Sequence, residues 1–436
     1  MKTTATASLH PAIRWAFYVF LLSLPFEYPR RSIPWETTTI TCALFLFAAL
    51  LQPRICFRRL PVAVAWYGMF LYVCVVSFAV NGGLYAAEVQ RIFTLQLQMA
   101  LLLWAGYNVL HDEEVFRRAP LMLAVACVAR AAVQLSGIAT KHDEEWYGGE
   151  RISALGQNAN HSAMIMTVGL LALIGLAYAR SSGRRGWRVL IWPFAVVLAI
   201  AILQNGSRGG MIALAMGLLT FALSGSGLRA RIRNTVGVAL ALGVVTWASY
   251  NNEGLRNRFK QSMVAGAMAG RERVYPELAQ MFLERPIIGY GPVANKYVLG
   301  GRLPEQHYAR RDAHNLLLEV MTSTGTVGLI PFTVLLGLVW RAAWRARRGP
   351  DGILPLALLV AVLTANLSGN WIAGPLLYVV FTYALASDRA APFAPNPEPA
   401  RHRAWPARSR RALAWRAAPP SVPVPGRADP TEVDQC

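Results

Sequence analysis

Apolar runs separated by short polar segments recur along most of the chain, each about long enough to cross a ~30 Å hydrocarbon core as a helix. The runs fall at roughly 12–26, 33–51, 60–80, 92–110, 119–138, 160–179, 189–204, 209–224, 235–250, 315–340, 353–368 and 370–386. This pattern predicts an all-α, polytopic membrane protein of about 12 transmembrane helices. The first run lacks a small-residue cleavage site and reads as a span rather than a signal peptide. Between the ninth and tenth runs lies one long polar segment, 251–314, expected to form a loop containing short helices. No period of 20–50 residues repeats along the chain.

Charge gives the pattern a direction. Taking the N-terminus as inside, the inner termini and loops before the tail carry 18 Lys and Arg, against six in the short outer loops. Cytoplasmic loops are the basic ones, so this bias places the N-terminus inside and 251–314 outside. The net charge of +20 therefore reads as topology signals and not as a nucleic-acid surface. Residues 1–386 are expected to form the integral membrane domain. From Ser387 to Cys436 the chain turns rich in Pro, Ala and Arg, the composition of a disordered, basic cytoplasmic tail within reach of anionic lipids. The five cysteines make neither a disulfide framework nor a prenylation box.

Candidate chemistry collects at the outer ends of the spans. In "QNGSRGGMIAL" Ser207 is a good N-cap, which puts Arg208 in the first turn of a helix, at its already positive end. An anion there could use the guanidinium and the free N–H groups together, with Gly209 and Gly210 allowing close approach. In the long segment, Leu278, Met281, Phe282 and Arg285 have the spacing of a short amphipathic helix that could lie on the membrane, with Pro276 in its first turn and Arg271 and Arg273 ahead of it. Asn158, Asn160 and His161 gather where the sixth span opens. In "RDAHNLLLEV" Asp312 can cap a helix that begins near His314; the helix field and partial burial keep the imidazole neutral, as a general base requires. Asn315 shares a face with Glu319, whereas His314 does not. Arg130 lies deep in the fifth span, where a charge costs roughly 2.5–3.5 kcal/mol, and either ties helices together or touches a ligand phosphate. No Cys/His set has zinc spacing and no Gly-rich loop precedes Lys-Ser/Thr, so neither a metal nor a cofactor is indicated. Asp143, Glu144 and Glu145 form the only outer acidic cluster.

S-R-G-G opening a mid-chain span, then G-R-x-x-x-Y and P-I-I-G-Y-G-P in a long outer loop, then H-N-x-x-L-E opening the next span, together resemble the O-antigen ligase/polymerase superfamily. The resemblance implies a metal-independent, inverting glycosyltransferase of the cell inner membrane, with the membrane glycosyltransferase class C type of fold. Its donor is undecaprenyl-diphosphate-linked O-antigen polysaccharide, presented on the periplasmic side. A ligase transfers the glycan to a sugar hydroxyl of lipid A–core. By position, Arg208 and Arg271 match the family's functional arginines and His314 its functional histidine; Arg273, Arg130, Asn158, Asn160, His161 and Asn315 are further candidates for contact with substrate. Length and span number suit the ligase best. The polymerase and the protein O-oligosaccharyltransferase of the same superfamily are the alternatives. A transporter, from another class, would show polar residues at mid-membrane or an internal repeat, and only Arg130 lies at such depth.

Overall fold

Each of the twelve apolar runs folds as a helix, because a chain surrounded by hydrocarbon must satisfy its backbone polar groups within the segment. In a computed structural model that describes residues 8–27, 36–144, 150–178, 185–224, 227–266, 270–303, 309–347 and 352–388, they are α1 (Pro11–Ser23), α2 (Thr37–Ala49), α4 (Val62–Val80), α5 (Ala86–Val109), α6 (Glu113–Leu135), α7 (Ala159–Tyr178), α8 (Arg185–Gln204), α9 (Arg208–Ala222), α10 (Leu228–Asn251), α14 (Leu316–Ala346), α15 (Leu354–Asn366) and α16 (Pro375–Ser387). Of these, α4, α5, α6, α7, α10 and α14 are long and apolar enough to cross a membrane; the others are shorter apolar helices. A single turn, α3 (Pro53–Cys56), follows α2, and the long polar segment carries α11 (Glu253–Ala265), α12 (Arg271–Glu284) and α13 (Ala294–Arg302). The chain divides into Met1–Pro392 and Phe393–Cys436, and nearly all of the expected basic tail lies outside the described residues.

The chain is mostly helical, as expected, with one short hairpin added. Between α6 and α7, β1 (Thr140–Glu144) and β2 (Glu150–Ala154) pair antiparallel, with Thr140 opposite Ala154 and His142 opposite Ile152. Five-residue strands leave no helical period and are easily missed in a chain of long helices. Glu145 of the acidic cluster lies outside the described residues.

The centre of the bundle is α7, buried nearly all round and packed by α6, α8, α9 and α15. Small residues allow these approaches. A Cβ at Gly210 would stand 2.7 Å from the Ala163 Cβ, and one at Gly209 2.5 Å from the Ser368 Oγ. The two glycines after Arg208 therefore serve close packing of α9 against α7 and the 368 loop.

The helix α14 is not the continuous span expected. At Gly325 the backbone turns to φ 61°, ψ −161°, a conformation essentially restricted to glycine, and the helical ladder breaks. The freed backbone groups are taken up by residues 286–291 of the long polar segment. Tyr290 and Gly291 donate their N–H groups to Thr322 O and Ser323 O, each at 2.9 Å. Thr326 and Val327 donate to Pro286 O and Ile287 O at 2.7 and 3.1 Å. The Ser77 hydroxyl of α4 reaches Ile288 O at 2.7 Å. The "PIIGYGP" motif is thus docked main chain to main chain on the bundle.

A second correction concerns α12. It starts at Arg271, so Arg271 and Arg273 are inside it and Pro276 is not in its first turn. Much of its apolar face is turned into the protein. Val274, Leu278 and Met281 form a small core with Leu299 of α13 and Ala313.

Candidate functional site

The segment before α14 sets up the site. Asn315, not Asp312, is the N-cap, its side chain accepting from the N–H groups of Leu317 and Leu318 at 3.0 and 3.1 Å. Asn caps as well as Asp does, and here it stands one residue before the helix. His314 therefore lies just outside the helix, with φ 48°, a left-handed conformation uncommon for a residue with a Cβ. Tyr275 of α12 holds that turn: its hydroxyl lies 3.2 Å from His314 O and 2.9 Å from Leu367 O. Asp312 is instead engaged by Lys296 of α13, whose ammonium stands 2.5 Å from Asp312 and 3.7 Å from the buried Glu319. Glu319 thus belongs to an ion-pair group beneath the turn.

His314 opens onto a cavity of about 700 Å³ at the end of the bundle that carries α12 and α13. Its walls come from α1, α2, α5, α7, α12, α13, residues 310–314 and the loop from Ser368 to Gly374. Arg271, Asn158, Asn160 and His161 share this cavity with His314, so five of the sequence candidates converge. Arg271 donates through Nη2 to Ser368 O at 2.9 Å. His161 lies 3.3 Å from Glu27 and edge-on to Trp371, with ring centroids 5.2 Å apart. Asn160 accepts from Arg151 at 2.7 Å, and Asn158 caps the start of α7 by accepting from the Asn160 N–H at 2.8 Å. Asn315 reaches Leu367 O at 3.3 Å beside the cavity.

The electrostatics favour a neutral imidazole. Crowding by protein lowers the His314 pKa below its ordinary value, and Arg271, Arg311 and Lys296 push it the same way against the opposing pull of Asp312. Asp312 is held ionised: burial pushes its pKa up, but the Lys296 ammonium outweighs this and brings it down.

The remaining candidates sit elsewhere. Arg208 begins α9 behind its Ser207 cap, as expected, with the Ser207 hydroxyl accepting from the Gly210 N–H at 3.1 Å. Its guanidinium turns to α11, bonding Arg258 O at 3.0 Å and the Ser262 hydroxyl, and it does not line the cavity. Arg273 is exposed on the far side of α12. Arg130 is 1% exposed and donates to Pro25 O, Ala154 O, Gln157 and Ser162 at 2.8–3.1 Å. It ties α6 to the end of α1, the β-hairpin and α7. Sequence reasoning missed Glu27, Lys296, Arg310, Arg311 and the "SGNWIAG" loop. That loop was read as part of two spans, although its glycines and Asn on either side of Trp371 were a turn signal.

The fold and site define a helical multi-pass membrane protein with a largely apolar cavity, bordered by Arg271, Lys296, Arg310 and Arg311, at one end of its bundle. Residues 193–333, from α8 through the first half of α14, match the sequence model of the O-antigen ligase family. The chain is also 23% identical over 286 residues to the O-antigen ligase of Pseudomonas aeruginosa, an alignment covering 60% of this chain and 66% of that relative's length. With its motifs, these matches establish the chain's resemblance to the O-antigen ligase superfamily.

Proposed function

We propose that this protein is an O-antigen ligase of the cell inner membrane, a glycosyltransferase that moves undecaprenyl-diphosphate-linked O-antigen onto a sugar hydroxyl of lipid A–core. The cavity faces the periplasm in this reading, and the termini face the cytoplasm. What supports it most is the placement of His314: a crowded imidazole, disfavoured as a cation, sharing a large, mainly apolar cavity with Arg271.

His314 takes the proton of the acceptor hydroxyl as that oxygen attacks the anomeric carbon. The bond from that carbon to the diphosphate oxygen breaks, and the diphosphate leaves with the electron pair. Attack from the side opposite the leaving group inverts the anomeric centre. Arg271, already oriented by Ser368 O, faces the charge that grows on the diphosphate, in a site where preorganised cations need no rearrangement at the moment of reaction. Arg208 contributes from behind the first layer by fixing α11, or engages the diphosphate when the lipid is bound. The polymerase and the protein O-oligosaccharyltransferase share this chemistry and differ in acceptor.

The deciding experiment is a gene deletion with complementation, read on a lipopolysaccharide gel. Loss of every O-antigen band, with long glycan still on the carrier lipid, is the expected result. Survival of a core-plus-one-unit band would mean a polymerase, and an unchanged gel would overturn the reading in favour of protein glycosylation or transport. His314→Ala and Arg208→Ala should each fail to complement while remaining in the membrane at wild-type levels.

A further inference from the structure

The turn between α4 and α5 carries a feature that the transfer chemistry does not use. Gly82, Gly83 and Tyr85 all adopt positive φ, and Tyr85 does so at φ 61° despite its side chain. A left-handed tyrosine is strained and persists only where its surroundings determine it. Here they do. The Tyr85 ring lies flat on the Tyr297 ring of α13, with centroids 3.9 Å apart and planes within 4°. Glu88, one turn into α5, accepts from the Tyr297 hydroxyl at 2.6 Å and pairs with Arg310 at 2.7 Å. Tyr85 is 41% exposed, Glu88 and Arg310 are about as accessible, and Arg310 also lines the cavity that holds His314. A rigid aromatic plate, a carboxylate and a guanidinium therefore form one group continuous with the cavity's rim.

We infer that Tyr85, backed by Tyr297 and flanked by Glu88 and Arg310, is a carbohydrate subsite that holds a pyranose residue one or more units away from the reacting sugar. A pyranose has one face of C–H bonds, which stacks on the electron-rich face of an aromatic ring, and a rim of hydroxyls that a carboxylate and a guanidinium bind in pairs. Preorganisation strengthens the match: the ring is fixed by its partner and its backbone before any sugar arrives, so little side-chain entropy is lost on binding. A tyrosine that merely marked the membrane–water boundary would need neither the parallel partner nor the ion pair at its edge. The inference rests on the glycosyl-transfer reading above. It leaves two sources for the pyranose, the acceptor oligosaccharide and the donor glycan, which share this chemistry.

The test uses the full-length protein in nanodiscs with purified lipid-linked donor and lipid A–core acceptor. Each substrate is varied in turn for wild type, Tyr85→Ala, Tyr85→Phe and Glu88→Gln. Tyr85→Ala should raise KM roughly three- to tenfold for one substrate and leave kcat unchanged, the loss expected of one stacking contact. A rise for the core acceptor assigns the subsite to the acceptor, and a rise for the donor assigns it to the donor glycan. Tyr85→Phe should behave as wild type, and Glu88→Gln should raise KM for the same substrate. The inference is overturned if Tyr85→Ala, monodisperse and inserted, keeps both KM values, or if it only lowers yield or melting temperature. No transfer by the wild type from the lipid-linked donor to lipid A–core would defeat the underlying reading instead. Binding of lipid-free core oligosaccharide and of lipid-free O-antigen, followed by saturation-transfer NMR with wild type and Tyr85→Ala, then reports on the subsite without turnover.

Discussion

Replacing Gly325 by alanine should unlock the polar segment from the bundle. The conformation at φ 61°, ψ −161° strains any residue with a Cβ by about 1–3 kcal/mol. The added methyl would also stand 2.3 Å from Ile287 C and O, main-chain atoms that cannot swing aside as a side chain end could. Separation of residues 286–291 from the break in α14 forfeits up to four main-chain hydrogen bonds, worth about 1 kcal/mol each net. With all four lost, the sum is about 5–7 kcal/mol. Gly337, in the same helix with nothing within 4 Å of a Cβ, is the control, and Gly337→Ala should be neutral or stabilising by up to ~1 kcal/mol. The assay is thermal unfolding in nanodiscs together with hydrogen exchange at the amides of Tyr290, Gly291, Thr326 and Val327. Gly325→Ala should melt well below wild type and exchange fast at those four amides. If it melts with wild type and keeps their protection, the account of the break as a backbone dock is wrong.

The other expectations follow from charge and burial. Because its neighbours lower the His314 pKa, the base stays deprotonated below the ordinary imidazole range, and transfer should fall only as pH drops through that lowered value. Arg311→Gln removes a cation that contributes to the lowering, so the acid limb of the pH–rate profile should move to higher pH; a limb that stays in place or moves down would argue against His314 as the titrating group. Arg130→Met strips hydrogen bonds from Pro25 O, Ala154 O, Gln157 and Ser162 and should cost about 2–4 kcal/mol in thermal unfolding, with transfer per folded molecule retained at low temperature. Unchanged stability with abolished transfer would instead make Arg130 a substrate contact.

Much of this molecule could be read from its hydrophobic pattern, because each span needs its own apolar run whatever it packs against. Helix ends were less legible. The cap at Asn315 and the start of α12 at Arg271 differ from expectation by one to a few residues, since several polar residues in a row could each have capped. The meeting of His314 with Arg271, Asn158, Asn160 and His161 in one cavity agrees with the common end of the bundle to which the span pattern assigns them. The position of Arg208 did not, because a helix terminus fixes where a backbone starts and not where a long side chain goes. Lys296 and Arg310 were lost among ordinary loop charges, and only the fold shows that one is enclosed between two carboxylates and the other borders both the cavity and the tyrosine pair.

The dock between residues 286–291 and the break in α14 has a consequence for how such a protein can diversify. Its bonds are almost all main chain; glycine is demanded at 289 and 325, where a Cβ would collide with opposing backbone, and favoured at 291, where φ is 94°. Side chains along the dock, such as the 64% exposed Ile287, carry little of the attachment. Mutation can therefore rewrite the side chains displayed along this segment while its anchorage stays intact, which separates the inheritance of its surface from the inheritance of the fold.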